Sequence, residues 1–226
     1  MKDFRGNVRF LITSLLVKVI MLAGAAWPSS ALIGQTPDPA TSIKELKEGT
    51  LIVRFPTNKA KIDTLTAMAK RTSNPDNKQR LEKELQQTIG ERDTLVAHYV
   101  EGFKLKYDFS KVAYYFDYDG RDLNTARYYN LDGEHIAIAD LSEKPIFYLF
   151  FDRSEEMKMD ALTINSRMLK KIPKPFPNDF TTGGLNYFFV SLSNNTFESW
   201  RIKKMNKRFH MFWNDVMAYE KSKEKG

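Results

Sequence analysis

Two short apolar runs decide the fold: Leu51-Ile52-Val53-Arg54-Phe55, closed by Pro56, and Val112-Ala113-Tyr114-Tyr115-Phe116. Each has strand length and is rich in β-branched or aromatic residues. The chain between them reads as two helices. Thr57 is placed to cap a helix running to Arg71, with Ile62, Leu65 and Met68 recurring on one face. Residues 72–77 (Thr-Ser-Asn-Pro-Asp-Asn) end it as a loop. A second helix over about 78–107 aligns Leu81, Leu85, Ile89, Leu95, Tyr99 and Phe103, with Glu82, Lys83, Glu84 and Glu91 mostly off that stripe. Thr88 and Arg92 interrupt a heptad seam, so the stripe predicts a helix that covers a core rather than a coiled coil. A strand, two helices and a strand predict a parallel pair joined by a right-handed crossover.

Downstream the pattern changes to consecutive strands. Residues 126–130 and 134–139 flank Leu131-Asp132-Gly133, and Asp-Gly between alternating apolar residues predicts a hairpin. After Pro145, Ile146-Phe147-Tyr148-Leu149-Phe150-Phe151 is apolar on both faces, as a central strand is. Residues 160–164 and 185–192 complete the strands. Between them, Lys171-Ile172-Pro173-Lys174-Pro175-Phe176-Pro177 is expected to be an extended surface segment, because its prolines forbid helix and ladder pairing. The last element, about 196–221, sets Trp200, Met205, Phe209, Phe212, Val216 and Tyr219 on an apolar stripe and Lys203, Lys204, Lys207, Arg208 and His210 largely off it. The expected class is α/β to α+β: a mixed sheet of about six strands packed by three main helices. It forms one globular domain over 50–222, preceded by a polar entry segment at 32–49 and followed by a charged tail at 223–226.

The first residues read as an address. Lys2, Arg5 and Arg9 precede an apolar run from Phe10 to Trp27, and Pro28-Ser29-Ser30-Ala31 supplies a breaker and small residues for a signal peptidase. This predicts a secretory leader over 1–31. Lys18 divides the run, and a lysine at a bilayer centre costs about 2.5–3.5 kcal/mol, which favours a transient leader over a permanent span. The chain contains no cysteine, which excludes a lipid anchor on a thiol, a disulfide, a thiolate metal site and a cysteine nucleophile. The expected location is periplasmic or extracellular, and the protein is not expected to be a lipoprotein. Its formal charge of +7 is uneven: residues 1–31 carry +3, residues 201–226 carry +5, and the 169 between are close to neutral at −1.

Phe116-Asp117-Tyr118-Asp119-Gly120-Arg121-Asp122 ends a hydrophobic strand, where carboxylates two apart can face one divalent cation. The string resembles the first motif of the haloacid dehalogenase-like phosphatases, a strand followed by Asp-x-Asp-Gly. That resemblance implies Asp117 as nucleophile and Asp119 as general acid; the position after the glycine, normally Thr in the family, is Arg121 here. Leu131-Asp132-Gly133-Glu134, the linker 139–145 and the strand 146–151 resemble the approach to the active-site helix in thioredoxin-like proteins of the cell envelope. The chain then continues as Asp152-Arg153-Ser154-Glu155-Glu156 with no cysteine pair, so the resemblance implies a fold without the redox chemistry. His98, His135 and His210 are isolated from one another, and no glycine-rich phosphate motif occurs, so neither a metal nor a nucleotide cofactor is expected.

Fourteen aromatic residues lie between Tyr99 and Phe151. Successive strand residues point to opposite faces, so one of Tyr114 and Tyr115, and one of Tyr128 and Tyr129, faces outward unless both sheet faces are covered. The resulting expectation is a non-catalytic, exported envelope protein that binds or supports a protein or glycan partner, with Tyr114, Tyr128, Lys203 and Lys207 as partner-binding residues. The basic final helix offers a contact to an acidic membrane surface, and nucleic acid is not an expected partner. The alternatives are a metal-dependent hydrolase centred on Asp117 and Asp119, and a structural subunit of a larger envelope assembly.

Overall fold

A computed structural model describes residues 36–118, 125–153, 159–181 and 196–224. The leader at 1–31, Asp119 and the strand expected at 185–192 lie outside the described residues. The elements run α1 (Pro39–Glu48), β1 (Thr50–Phe55), α2 (Lys59–Arg71), α3 (Pro75–Lys106), β2 (Lys111–Phe116), β3 (Tyr128–Tyr129), β4 (His135–Ile136), α4 (Ile138–Ser142), β5 (Ile146–Arg153), β6 (Asp160–Ser166), β7 (Asp179–Thr181) and α5 (Phe197–Lys223). The seven strands form one mixed sheet in the order β4-β3-β2-β1-β5-β6-β7. An α/β to α+β class with a C-terminal helix is what the sequence pattern predicts. Among the described residues the sheet has seven strands, where about six are expected.

β1 is the axis of the sheet. It pairs in parallel with β2, Leu51 opposite Val112, and in parallel with β5, Leu51 opposite Phe147. Leu51, Ile52, Val53 and Phe55 are buried, and Arg54 alone reaches solvent. A strand flanked by parallel neighbours and covered on both faces needs this near-continuous apolar run. Leu51, Val53 and Phe55 join Phe147, Leu149, Leu162, Ile164 and Phe180 beneath α1, α3 and α5, which contribute Ile43 and Leu46, Tyr99 and Phe103, and Ile202, Met205 and Phe209. Ile52, Ala113, Tyr115, Tyr128, Ile146 and Tyr148 form a second cluster on the opposite face, with Ala126 and Leu141. α3 and α5 approach closely at Gly102, where a Cβ would stand 2.6 Å from the Ile202 Cδ1.

Several local expectations are corrected, each for a capping or packing reason. The entry segment at 32–49 is not merely polar. Asp38 caps α1 by accepting the Thr41 N–H at 2.7 Å, Pro39 opens the first turn, and Ile43 and Leu46 are fully buried. Thr57 does not cap α2. Asn58 occupies that position at φ 53°, and Thr57 turns to Asp117 instead. On α2 it is Leu65 and Ala69 that are buried, while Met68 is exposed. The loop 72–77 shortens because Asn74 caps α3 through the N–H groups of Asp76 and Asn77, with Pro75 in the first turn. The hairpin at Asp132-Gly133 forms, with Gly133 at φ 85°, but its strands are two residues each and residues 138–142 turn helical.

β5 is followed by an antiparallel partner, β6, with Leu149 opposite Ile164. A thioredoxin-like chain would place its active-site helix there, so that likeness stops at the strand. The proline-rich segment is not a surface element throughout: Pro173 and Pro175 are exposed, but Ile172 and Phe176 are buried in the core. Asn178 Nδ2 donates to the Ile172 carbonyl, and the Ile164 N–H donates to the Asn178 carbonyl at 2.8 Å. Among the described residues, no helix is long and apolar enough to cross a membrane.

Candidate functional site

The carboxyl ends of parallel strands are where an open α/β sheet leaves a crevice for a ligand, at the point where connections diverge to either side. In this chain β1 is that point. Beyond it lies a cleft of about 590 Å³, lined among the described residues by Pro56 after β1, Phe151, Asp152 and Arg153 of β5, and Asp160 and Ala161 of β6. Leu95 and Tyr99 of α3 and Phe197, Glu198 and Arg201 of α5 close its other walls. Small-molecule sites are commonly about 300–1,000 Å³.

The floor is aromatic. Tyr99 and Phe151 meet edge to face with centroids 4.8 Å apart, and Phe55 lies 5.8 Å from Phe151. Arg201 enters this apolar setting and is only 7% exposed. Its Nη1 donates to the Tyr99 hydroxyl at 3.0 Å, and its Nη2 donates to the carbonyls of Asp160 at 3.3 Å and Phe180 at 3.2 Å. Its guanidinium also faces the Phe197 ring, 5.5 Å from the centroid. Its Nε has no acceptor among the described residues. The oxygens that accept from Arg201, a tyrosine hydroxyl and two backbone carbonyls, are therefore all neutral. Glu198, one turn earlier on α5, instead faces His98 at 3.5 Å.

Arg201 also heads a row of cations along β7. Lys204 Nζ donates to the Thr181 carbonyl at 3.5 Å and Arg208 Nη1 to the Asp179 carbonyl at 3.3 Å. Burial, reinforced by Arg208 and Arg201, pushes the Lys204 ammonium below the usual lysine range. The row caps carbonyls of β7, the last strand of the sheet among the described residues.

The residues singled out by sequence are dispersed. Asp117 is half-buried, and its Oδ1 accepts both the Thr57 N–H, at 3.0 Å, and the Thr57 hydroxyl. Its own N–H donates to the Phe55 carbonyl at 3.0 Å, so the carboxylate ties the ends of β1 and β2 together. Asp119 lies outside the described residues. Among the described residues, no group of three or more His, Asp or Glu side chains gathers as a metal site. Tyr114 is 9% exposed and packs on the helical side, stacked on Tyr129 at 5.5 Å. Tyr128 is 1% exposed, on the other face beside Tyr115 at 5.5 Å. Burial pushes the Tyr115 hydroxyl up to about 12. Both sheet faces are covered at these positions, so neither Tyr114 nor Tyr128 presents a ring to solvent. Lys203 and Lys207 are exposed on the outer side of α5.

Sequence reading missed the cleft residues Asp152, Arg153, Asp160, Phe197, Glu198 and Arg201. One signal was present: Arg201 lies four residues before Met205 and eight before Phe209, in phase with the apolar stripe, where a cation is out of place. No protein-family model matches the chain, and comparison with curated proteins and with solved structures returned no match.

Proposed function

We propose that this chain is a non-catalytic binding protein of the cell envelope, and that it holds a protein or glycan partner through the cleft beyond β1. The carrying observation is the cleft itself, where Phe151 and Phe197 offer apolar ring surface beside the polar groups of Asp152, Arg153, Asp160, Glu198 and Arg201. Aromatic surface beside a few convergent polar groups is the usual composition of a recognition site. The exposed Lys203 and Lys207 supply a second, electrostatic contact on the outer side of α5. Export rests on the basic start and the apolar run at 10–27. The engagement of Asp117 with Thr57 gives that carboxylate a structural role and favours binding over phosphoryl transfer.

A crosslinked pull-down from fractionated cells, paired with a magnesium-dependent phosphatase assay, separates the readings. Binding predicts an envelope partner recovered from the exported fraction and no effect of Asp117→Asn on any turnover. Phosphatase activity abolished by Asp117→Asn would establish the hydrolase instead. Recovery of the protein in the cytoplasm with its leader intact would refute export.

A further inference from the structure

We propose that the turn after β6 is a membrane-contacting tip, which seats the protein on a bilayer surface of anionic phospholipid. This goes beyond the cleft and does not depend on it. The Ser166 N–H donates to the Lys170 carbonyl and the Leu169 N–H to the Ser166 carbonyl, both at 2.9 Å, which closes a three-residue turn over Arg167, Met168 and Leu169. Leu169 stands at φ 57°. Glycine or asparagine ordinarily fills the left-handed last position of such a turn, because a Cβ is strained there. Burial does not offset that strain: the Leu169 side chain is 50% exposed, beside Met168 at 63%. Two apolar side chains held out at a strained turn fit a partner that takes them up by insertion.

Charge selects the surface. Residues 161–178 contain Arg167, Lys170, Lys171 and Lys174 and no Asp or Glu. Lys171 pairs with Asp179 at 3.0 Å, while Arg167, Lys170 and Lys174 are exposed. Cations beside inserted apolar side chains are drawn to anionic lipid and keep their heads at the headgroup level. Placement in the fold agrees. Ser166 pairs with Phe147 at the amino end of β5, whereas Asp160 pairs with Arg153 at its carboxyl end, where both line the cleft. The tip and the cleft therefore stand at opposite ends of β6, about 20 Å apart along the strand. A protein seated by the tip keeps its cleft turned away from the bilayer.

Because the chain has no cysteine, a single introduced one can carry a polarity-sensitive fluorophore. The full chain is labelled at Met168→Cys, Lys207→Cys or Glu82→Cys and mixed with vesicles of phosphatidylcholine, either alone or with phosphatidylglycerol. The label at 168 should brighten about threefold or more with the anionic vesicles and little with the neutral ones. Labels at 82 and 207 register whatever the apolar run at 10–27 brings to the bilayer, and they should stay near their values in buffer. Arg167→Gln with Lys170→Gln should remove at least half of the gain at 168. Leu169→Gly should do likewise while leaving the denaturant midpoint equal or higher, since glycine relieves the left-handed backbone. No brightening at 168, or as much at 82 or 207, would overturn the tip. Equal gains on the two kinds of vesicle would overturn the anionic surface, and an equal gain with soluble poly-L-glutamate would replace it with an acidic protein. A midpoint lowered by Leu169→Gly would make Leu169 a folding residue and remove its part in the tip.

Discussion

The space under α1, α3 and α5 and the cleft beyond β1 are built from the same elements, yet they are finished differently. Under the helices, carbon meets carbon: Phe209 lies between Phe109, Phe176 and Phe180, with ring centroids 5.4–6.0 Å apart. At the strand ends the same α3 and α5 bring in a guanidinium, a tyrosine hydroxyl and a Glu198–His98 pair. The first region is what folding requires of about 190 residues without disulfides. The second carries a guanidinium and carboxylates that apolar packing does not call for, and the proposed binding role rests on that difference.

The largest expected effect lies in the apolar region. Phe209→Ala should lower unfolding free energy by about 3–5 kcal/mol, read by denaturant titration, because the surrounding rings cannot fully collapse into the space left. A value near 1 kcal/mol would mean that this region is not the main core. Gly49→Ala comes next, at about 1–3 kcal/mol from overpacking. A Cβ there would stand 2.2 Å from the Pro145 carbonyl oxygen, which already accepts the Thr50 N–H at 2.9 Å. The backbone at Gly49 has φ −94°, so the effect arises from contact rather than from dihedral strain.

Arg201→Met should change stability by less than about 2 kcal/mol, since relief of a buried unpaired charge offsets three lost hydrogen bonds. A loss as large as that of Phe209→Ala would make Arg201 a structural residue and remove the contrast between the regions. Smaller still is the clasp between the α3–β2 turn and α5. His210 Nε2 and Asn206 Nδ2 each lie 2.8 Å from Asp108 Oδ1, and these hydrogen bonds hold the carboxyl below its ordinary value of 3.8. A carboxyl lowered on folding contributes stability above its unfolded pKa and loses it as pH falls through the folded one. Asp108→Asn should therefore flatten the acid limb of a pH–stability curve below about pH 4. At higher pH it should cost about 0.2–1 kcal/mol, as for exposed pairs. Lys203→Gln with Lys207→Gln should leave stability within about 0.5 kcal/mol, because both side chains are solvated.

The layout was legible in the sequence where burial and periodicity agree. β1 and β5 are apolar on both faces because neighbours cover both, and α3 and α5 show long stripes. α1 was hidden by composition: its Asp38-Pro39 start is a capping signal, but only Ile43 and Leu46 of its ten residues are both apolar and fully buried. The proline-rich loop misled because proline rules out a ladder without ruling out burial of Ile172 and Phe176 beside it. The tyrosine pairs read as a surface because alternation sends one of each pair to the far face, and the sequence does not say what covers that face. The cleft was not legible because its members come from β5, β6, α3 and α5, and only topology brings Tyr99, Asp160 and Arg201 together.

The claim that the partner enters the cleft is tested most directly by photo-crosslinking in intact cells, with a photoreactive residue at Phe197 on the cleft wall, at Lys207 on the outer side of α5, or at Glu82 on α3. Occupancy of the cleft predicts an envelope adduct of constant size from Phe197, lost when Arg201→Met is added, with a weaker adduct from Lys207 and none from Glu82. Adducts from Lys207 or Glu82 with none from Phe197 would contradict it.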